Sequence, residues 1–241
     1  MYNLRPLLKD FRSLGVVNFE RGKLNMEIVR FLIDLFLHLD KYLGDIITQY
    51  GIWTYGILFV VIFIETGLVV TPFLPGDSLL FAAGTFAALG SLNVWYLLGL
   101  LMLAAVLGDT VNYSIGHYLG DRAYNIKWIK KEYFDKTHAF FEKHGGKAIF
   151  LARFVPIVRT FAPFVAGIGK MSYGYFITYN LVGGVVWVAL FTLLGYFFGK
   201  LEFVQKNFEF VIIAIILVSV LPMVFEWWKA RKEAKVEKKL A

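Results

Sequence analysis

The chain has no cysteine and few charged residues. The absence of cysteine among its 241 residues excludes disulfides and thiolate metal sites, and it leaves the cellular compartment open. Charged residues make up only 18% of the chain, whereas 58% of the residues are hydrophobic. A soluble domain of this length would expose too much apolar surface, so the composition predicts an all-α polytopic membrane protein.

Motifs typical of enzymes are also absent. The sequence contains no G-x-S-x-G and no H-E-x-x-H, and its stretch from Gly15 to Lys23 lacks the spacing of a phosphate loop. In the charged segment HAFFEKH only His138 and Glu142 share a helical face, which favours a solvated surface over a metal site. The sequence therefore predicts no enzyme activity, no metal, no cofactor and no nucleic-acid partner.

Charges of one sign are missing from each half of the chain. Residues 42–121 contain no lysine or arginine, and residues 143–201 contain no acid. The charges in apolar surroundings are the acids Glu65, Asp77 and Asp109 in the first stretch and the cations Arg153, Arg159 and Lys170 in the second. Because a charge at the bilayer centre costs roughly 2.5–3.5 kcal/mol, we predict that the two halves neutralise each other around a polar site.

Hydropathy predicts about four full spans and two amphipathic surface helices. The predicted spans are 51–70, 93–119, 173–199 and 209–228, each long enough to cross about 30 Å of hydrocarbon. Segments 26–50 and 130–146 carry apolar residues on one helical face and charges on the other, which is typical of helices lying on the membrane surface.

Proline and glycine predict two re-entrant hairpins between these spans. Pro72, Pro75 and Gly76 interrupt the first segment, and Pro156 and Pro163 interrupt the segment 148–169. Proline removes a backbone donor, so the predicted helices break at these residues and need protein or a wet cavity beside them.

The domain organisation follows from the basic residues. They cluster in the first 30 positions, in 122–147 and in 229–239. If the span 51–70 leaves the cytoplasm and the span 93–119 returns to it, all three clusters are cytoplasmic, as the positive-inside rule expects. We predict an extension 1–25, a single membrane domain 26–228 and a basic tail 229–241, with both termini in the cytoplasm.

The membrane domain contains two similar halves, 26–120 and 121–199, followed by the extra span 209–228. In the first, Phe81-Ala-Ala-Gly84 precedes a span that ends in G-x-x-x-G at 116–120. In the second, Phe164-Val-Ala-Gly167 precedes a span that ends in G-x-x-x-G at 195–199. The two hairpins would enter from opposite faces, which predicts an inverted repeat like those of secondary transporters.

The charged residues beside the hairpin breaks are the candidate site. Arg153 and Arg159 offer planar forks that suit phosphate or carboxylate, and Glu65 and Asp77 could exchange a proton as their surroundings change. Static salt bridges that only hold the hairpins together are the alternative.

Further polar residues lie on the span 93–119. Asp109, Asn112 and Tyr113 share one helical face, where they could support the site or join helices.

Three segments resemble the signature segments of the DedA family of bacterial membrane proteins, which contain the VTT domain. They are ETGLVVTPFLPGDSLLFAAG at 65–84, GDTVNYSIG at 108–116 and FLARFVPIVRTFAPFVAG at 150–167. The resemblance extends from about Met26 to Trp228. It implies an inner-membrane protein related to lipid scramblases, with Glu65 and Asp77 as essential acids and Arg153 and Arg159 as essential cations. It also implies dependence on the proton motive force and transport of undecaprenyl phosphate or phospholipid.

The leading hypothesis is a proton-coupled translocase (flippase) for an anionic lipid, with membrane phospholipid or polyprenyl phosphate and protons as partners. A proton-coupled transporter of small ions or solutes is the second hypothesis, and a membrane-organising protein without transport is the third. Substrate, coupling ion, direction and oligomeric state, including a homo-oligomer, stay open.

Overall fold

The computed structural model describes residues 34, 38–68, 76–123, 145–218 and 221. The predicted extension 1–25, most of the surface helix 130–146, Pro72, Pro75, the end of the last predicted span and the basic tail 229–241 lie outside these residues. Asp34 and His38 belong to a separate N-terminal unit, in which His38 Nδ1 lies 2.9 Å from an Asp34 carboxylate oxygen.

The regular elements within the described ranges are all helices, which confirms the prediction of an all-α chain. They are α1 (Leu39–Tyr50), α2 (Trp53–Gly67), α3 (Gly76–Ala88), α4 (Val94–Ala123), α5 (Gly146–Ala152), α6 (Pro156–Ile168), α7 (Tyr173–Phe198), α8 (Glu202–Lys206) and α9 (Phe208–Val218). Helix α1 is amphipathic as predicted, with Leu39 and Leu43 buried and Lys41 and Asp45 exposed.

Two of the described helices are long and apolar enough to cross a membrane. Val94–Gly120 of α4 and all of α7 contain 27 and 26 residues. Both present apolar side chains outward along their length, among them Leu103, Leu107, Leu190 and Leu194. Helix α2 has only 15 residues, about 22 Å at 1.5 Å per residue, so the count of four spans stays a prediction.

The direction of α2 differs from the sequence-based topology. The Asn93 backbone N–H, just before α4, donates to the Tyr55 hydroxyl at 2.6 Å, and Asn112 donates to the Thr66 carbonyl at 3.1 Å. The start of α2 thus lies beside the start of α4, the end of α2 lies beside a later part of α4, and the two helices run parallel. The prediction that 51–70 and 93–119 cross in opposite directions is wrong, because α3 returns the chain to its starting end before α4 begins.

The chain therefore forms two helical hairpins that open at opposite ends of the molecule. Helices α2 and α3 make the first hairpin, which opens where α4 begins. Helices α5 and α6 make the second. Gly120 of α4 lies close to Ile168 at the end of α6, so the second hairpin opens where α4 ends. The end of α2 and the start of α3 lie near the break between α5 and α6, as the inverted repeat requires.

The six central helices divide into two sets of parallel helices. We call α2, α4 and α6 the first bundle, and α3, α5 and α7, which run the other way, the second bundle. The most extensive helix packing lies within these sets, between α4 and α6, between α3 and α7 and between α2 and α4.

The glycine motifs of the two halves pack across each other reciprocally. A Cβ atom on Gly195 of α7 would lie 2.0 Å from the Phe81 carbonyl oxygen of α3. A Cβ on Gly116 of α4 would lie 2.1 Å from the Phe164 carbonyl oxygen of α6. The second helix of each hairpin thus packs against the long helix of the other half at a glycine of the repeated motif.

The two prolines of the second hairpin behave differently. Pro156 begins α6 at the first turn, where a missing N–H is tolerated, and so marks the predicted break. Pro163 was predicted as a second break, and this is wrong: it lies inside α6. Asn112 donates at 2.8 Å to the carbonyl of Thr160, in the turn that Pro163 disturbs, and the close contact of α6 with α4 keeps the helix continuous.

Candidate functional site

Five charged side chains meet where the end of α2 and the start of α3 approach the break between α5 and α6. They are Glu65, Asp77, Asp109, Arg153 and Arg159, and each is at most 8% exposed. Glu65 lies in the last turn of α2, Asp77 lies in the first turn of α3, and the two arginines flank the break between α5 and α6. We call these five residues the charge cluster.

Arg159 lies between two carboxylates of the first hairpin. Its Nη1 donates to Asp77 Oδ1 at 2.5 Å, and its Nη2 donates to Glu65 Oε1. The backbone N–H of Gly76 also donates to Glu65 Oε1, at 3.1 Å. These bonds thus join the end of α2 and the start of α3 to the first turn of α6 in the other hairpin.

Trp187 of α7 completes the surroundings of Arg159. Its indole Nε1 donates to Asp77 Oδ1 at 2.8 Å, and its ring lies under the guanidinium with 4.9 Å between the Arg159 Cζ and the ring centroid. A guanidinium over an indole face is attracted by the ring quadrupole, and the indole N–H fixes the carboxylate that pairs with it.

Arg153 makes a separate set of contacts. Its Nη2 donates to Asp109 Oδ2 of α4 and to Asn180 Oδ1 of α7. The Asn180 amide nitrogen in turn donates to the Val106 carbonyl at 3.1 Å. Asn180 is fully buried, so its amide joins α7 to α4 beside the charge cluster.

The predicted meeting of the charges is therefore confirmed with one change of partner and one exclusion. Arg159 contacts both predicted acids, whereas Arg153 contacts Asp109, which the sequence suggested only as a supporting residue. Lys170, predicted as a third cation for the site, is exposed beyond the end of α6. The cluster consequently holds three carboxylates and two guanidiniums.

Several buried atoms of the cluster have no hydrogen-bond partner among the described residues. They are Glu65 Oε2 and the Nε atoms of Arg153 and Arg159. Buried polar atoms of this kind are costly unless another group completes them. The cluster therefore retains one acceptor site and two donor sites for a proton or a ligand.

Asn112 and Tyr113 stabilise the helices around the cluster and do not touch its charges. Asn112 is fully buried and donates to the carbonyls of Thr66 and Thr160, which joins the end of α2 and the first half of α6 to α4. The Tyr113 hydroxyl donates to the Met171 carbonyl between α6 and α7. Of the three predicted supporting residues, only Asp109 contacts an arginine directly.

Glycines leave room for the charged side chains. A Cβ on Gly76 would lie 2.1 Å from Glu65 Oε2, and a Cβ on Gly183 would lie 3.0 Å from Arg153 Cδ. No side chain larger than hydrogen fits at Gly76 without moving the Glu65 carboxylate.

Sequence reasoning missed Asn180 and Trp187. They lie seven residues apart on α7, two helical turns, and so share a face. A single asparagine within a long apolar segment was the available signal, since a buried amide in a span needs partners. For Trp187 the sequence offered no such signal, because tryptophan is common in apolar segments.

Among the described residues, no group of three or more histidine, cysteine, aspartate or glutamate side chains is arranged to hold a metal ion.

Comparison with known proteins agrees with these features. The family profile of the VTT domain matches residues 74–197, which contain most of the cluster. Protein DedA of Escherichia coli (strain K12) is 54% identical over 214 residues, which cover 87% of this chain and 98% of that protein. The chain belongs to the DedA family.

More distant members are also similar. An uncharacterized membrane protein of Mycobacterium tuberculosis (strain ATCC 25618 / H37Rv) is 46% identical over 69% of this chain and 75% of its own length. The inner membrane protein YqjA of Escherichia coli (strain K12) is 36% identical over 71% of this chain and 79% of its own length. No solved structure matches the chain. Membership in this family and the two long apolar helices identify the chain as a membrane protein.

Proposed function

We propose that the protein is a proton-coupled translocase of the bacterial cytoplasmic membrane that moves an anionic lipid, such as a polyprenyl phosphate or a phospholipid. The observation that carries this proposal is the buried charge cluster at the meeting of two hairpins that open at opposite ends of the molecule. Charges inside a membrane domain are costly, and they commonly mark substrate pathways, ion pathways and proton relays.

The hairpins are re-entrant in this proposal. Helices α4 and α7 cross the bilayer, and each hairpin enters from one face and returns to it. Inverted repeats whose broken helices meet near the midplane are typical of secondary transporters, whose substrate sites lie at that meeting point.

The basic residues give the orientation. Residues 122–147 connect the end of α4 to the start of α5 and contain a cluster of lysines, so that end of the molecule faces the cytoplasm by the positive-inside rule. Helix α1 packs at the other end, against α3. It then lies at the outer face, which revises the sequence-based placement of this segment in the cytoplasm.

The two guanidiniums supply the site for the lipid phosphate. Arginine binds phosphate through paired N–H groups, and the unpartnered Nε atoms of Arg153 and Arg159 are additional donors. A phosphate oxygen that approaches these arginines competes with Glu65, Asp77 and Asp109, which now accept their hydrogen bonds.

The charge balance of the cluster provides the coupling to protons. With all groups ionised, three carboxylates and two guanidiniums leave one excess negative charge. One proton cancels this excess, and Glu65 Oε2 can hold it because that atom has no other partner. A second proton gives the cluster a positive charge, which a lipid phosphate then neutralises. Lipid binding therefore requires proton uptake.

Reconstitution tests the proposal. Vesicles that contain the protein should flip a fluorescent anionic phospholipid faster than empty vesicles, and an imposed proton gradient should change the rate. Arg159→Ala and Glu65→Gln should lose this activity, whereas Lys206→Gln, on an exposed side chain far from the cluster in sequence, should keep it. Full activity in folded Arg159→Ala protein would refute the proposal. Proton movement driven by a soluble anion, without lipid flipping, would favour the ion or solute transporter.

One observation favours a second candidate function. Both arginines are already paired with carboxylates, as in a static network that only holds the two hairpins together. A membrane-organising protein without transport would need no more than this network, and its cellular role should survive replacement of the charges by well-packed neutral residues.

A further inference from the structure

A groove lies between α5 and α7, outside the charge cluster. Its volume is about 440 Å³, and its lining residues are Lys147, Phe150, Leu151, Thr178, Tyr179 and Val182. None of these residues belongs to the predicted site.

The groove is mostly apolar and has one charged residue, Lys147, among its lining residues. Gly146 of α5 lies against Tyr179 of α7, and Phe150 lies near Gly183, because the two helices run parallel. The end of the groove near the start of both helices therefore carries Lys147 and Thr178. The other end is apolar and carries Leu151 and Val182. A positive charge followed by apolar surface matches a lipid with an anionic headgroup.

The groove is open to the side of the molecule. Leu151 of α5 is 62% exposed and Val182 of α7 is 50% exposed, and Val182 lies among other exposed apolar side chains of α7. In a membrane such a surface faces lipid, so a lipid could occupy the groove without leaving the bilayer.

We propose that this groove binds one anionic phospholipid, with its phosphate on the Lys147 ammonium and part of one acyl chain against Phe150, Leu151 and Val182. The inference rests on the proposed translocase and deepens it, because it gives the lipid a binding site beside the charge cluster before translocation.

The inner end of the groove adjoins Arg153. A Cβ on Gly183 would lie 3.0 Å from Arg153 Cδ and 3.5 Å from Phe150 Cδ2, so these two side chains cover the same part of α7. Arg153 follows Phe150 by one helical turn. A phosphate that leaves Lys147 and moves inward along α5 would therefore reach Arg153 first among the cluster arginines.

Photolabelling of the full-length protein in vesicles tests the groove. The probes are phosphatidylglycerol and phosphatidylcholine with a diazirine in one acyl chain, and labelled residues are mapped by mass spectrometry. We expect phosphatidylglycerol to label residues of the groove. Lys147→Gln should reduce this labelling about five-fold, since one basic residue at a membrane surface contributes about 1 kcal/mol. Lys147→Arg should keep the labelling, and Lys200→Gln, an exposed lysine at the opposite end of α7, should leave it unchanged.

A second pair of variants tests the apolar end. Val182→Trp fills the groove and should prevent labelling by phosphatidylglycerol, whereas Leu190→Trp, on a similarly exposed position of the same helix, should not. Equal labelling of the parent and Lys147→Gln proteins, or equal labelling by the two lipids, would overturn the inference.

A neutral triple variant with Glu65→Gln, Asp77→Asn and Arg159→Met separates this inference from the proposed function. That variant should lose lipid flipping and keep the groove labelling, because it leaves no buried charge unpaired and none of its three residues lines the groove. Groove labelling in a parent protein that flips no lipid would refute the translocase alone. Flipping without groove labelling would refute the groove alone.

Discussion

Removal of Arg159 should destabilise the protein strongly. Arg159 is 7% exposed and contacts Glu65 and Asp77, which are themselves buried. The Arg159→Ala variant would leave two buried carboxylates without their cation. Breaking a buried ion pair by removing one partner costs about 3–5 kcal/mol in the free energy of unfolding. The loss should lie in the upper part of this range, because a single guanidinium serves both acids.

A neutral version of the same group should recover most of that stability. In a triple variant with Glu65→Gln, Asp77→Asn and Arg159→Met, no buried charge is left unpaired. Replacing a whole buried ionic group by neutral residues of similar volume is often neutral, or stabilising by about 1–4 kcal/mol. If the charges serve transport, the triple variant should be folded and yet inactive in lipid flipping.

Two assays on the same preparations decide the matter. Equilibrium unfolding in mixed detergent micelles gives the free energy, and a fluorescent phospholipid in proteoliposomes gives the flipping rate. Lys206→Gln is the control, since it removes only an exposed ion pair with Glu202, worth about 0.3–0.5 kcal/mol. A stable Arg159→Ala protein would contradict the pairing described above, and an active triple variant would support a purely structural cluster.

Three further tests have defined outcomes. Gly76→Ala should reduce both stability and flipping, because its Cβ would overlap a cluster carboxylate. The control Gly99→Ala has open space around it and should stabilise α4 by about 0.5–1 kcal/mol. Unfolding measurements compare the two variants. Trp187→Phe keeps a ring under the guanidinium but loses the hydrogen bond to a carboxylate, so unfolding should become easier by about 1.5–3 kcal/mol. A disulfide between Val106→Cys and Gly184→Cys would join the two bundles, since a Cβ at 184 lies 3.1 Å from the Val106 side chain. It should stop flipping until a reductant is added, and continued flipping in the oxidised protein would refute motion between the bundles.

The composition of the site could be predicted from the sequence because charges in apolar segments are rare. Each such charge needs a partner, so Glu65, Asp77 and Arg159 could be assigned to one site from the sequence alone. The choice of Asp109 by Arg153 could not be predicted. It depends on how α4 and α7 lie beside α5, which no local pattern specifies.

Hydropathy predicted where the helices lie but not which way they run. A segment of apolar residues has the same mean hydropathy in either direction, so 51–70 was interpreted as a crossing. The structure instead ends α2 at Gly67 and pairs it with α3 in a hairpin. Proline was similarly ambiguous. Pro156 begins a helix and Pro163 lies inside the same helix, and only the packing of α6 against α4 separates the two cases.

The ion pairs between the two bundles show where protonation can act. Asp77 of the second bundle pairs with Arg159 of the first, and Asp109 of the first pairs with Arg153, which follows α5 of the second. Each bundle thus supplies one acid and one arginine to a reciprocal contact. Glu65 pairs with Arg159 inside the first bundle and adds the excess negative charge. A proton on Glu65 therefore balances the cluster without loosening the bundles. A proton on Asp77 or Asp109 weakens a contact between them and releases an arginine for phosphate at the same time, which links lipid binding to bundle motion.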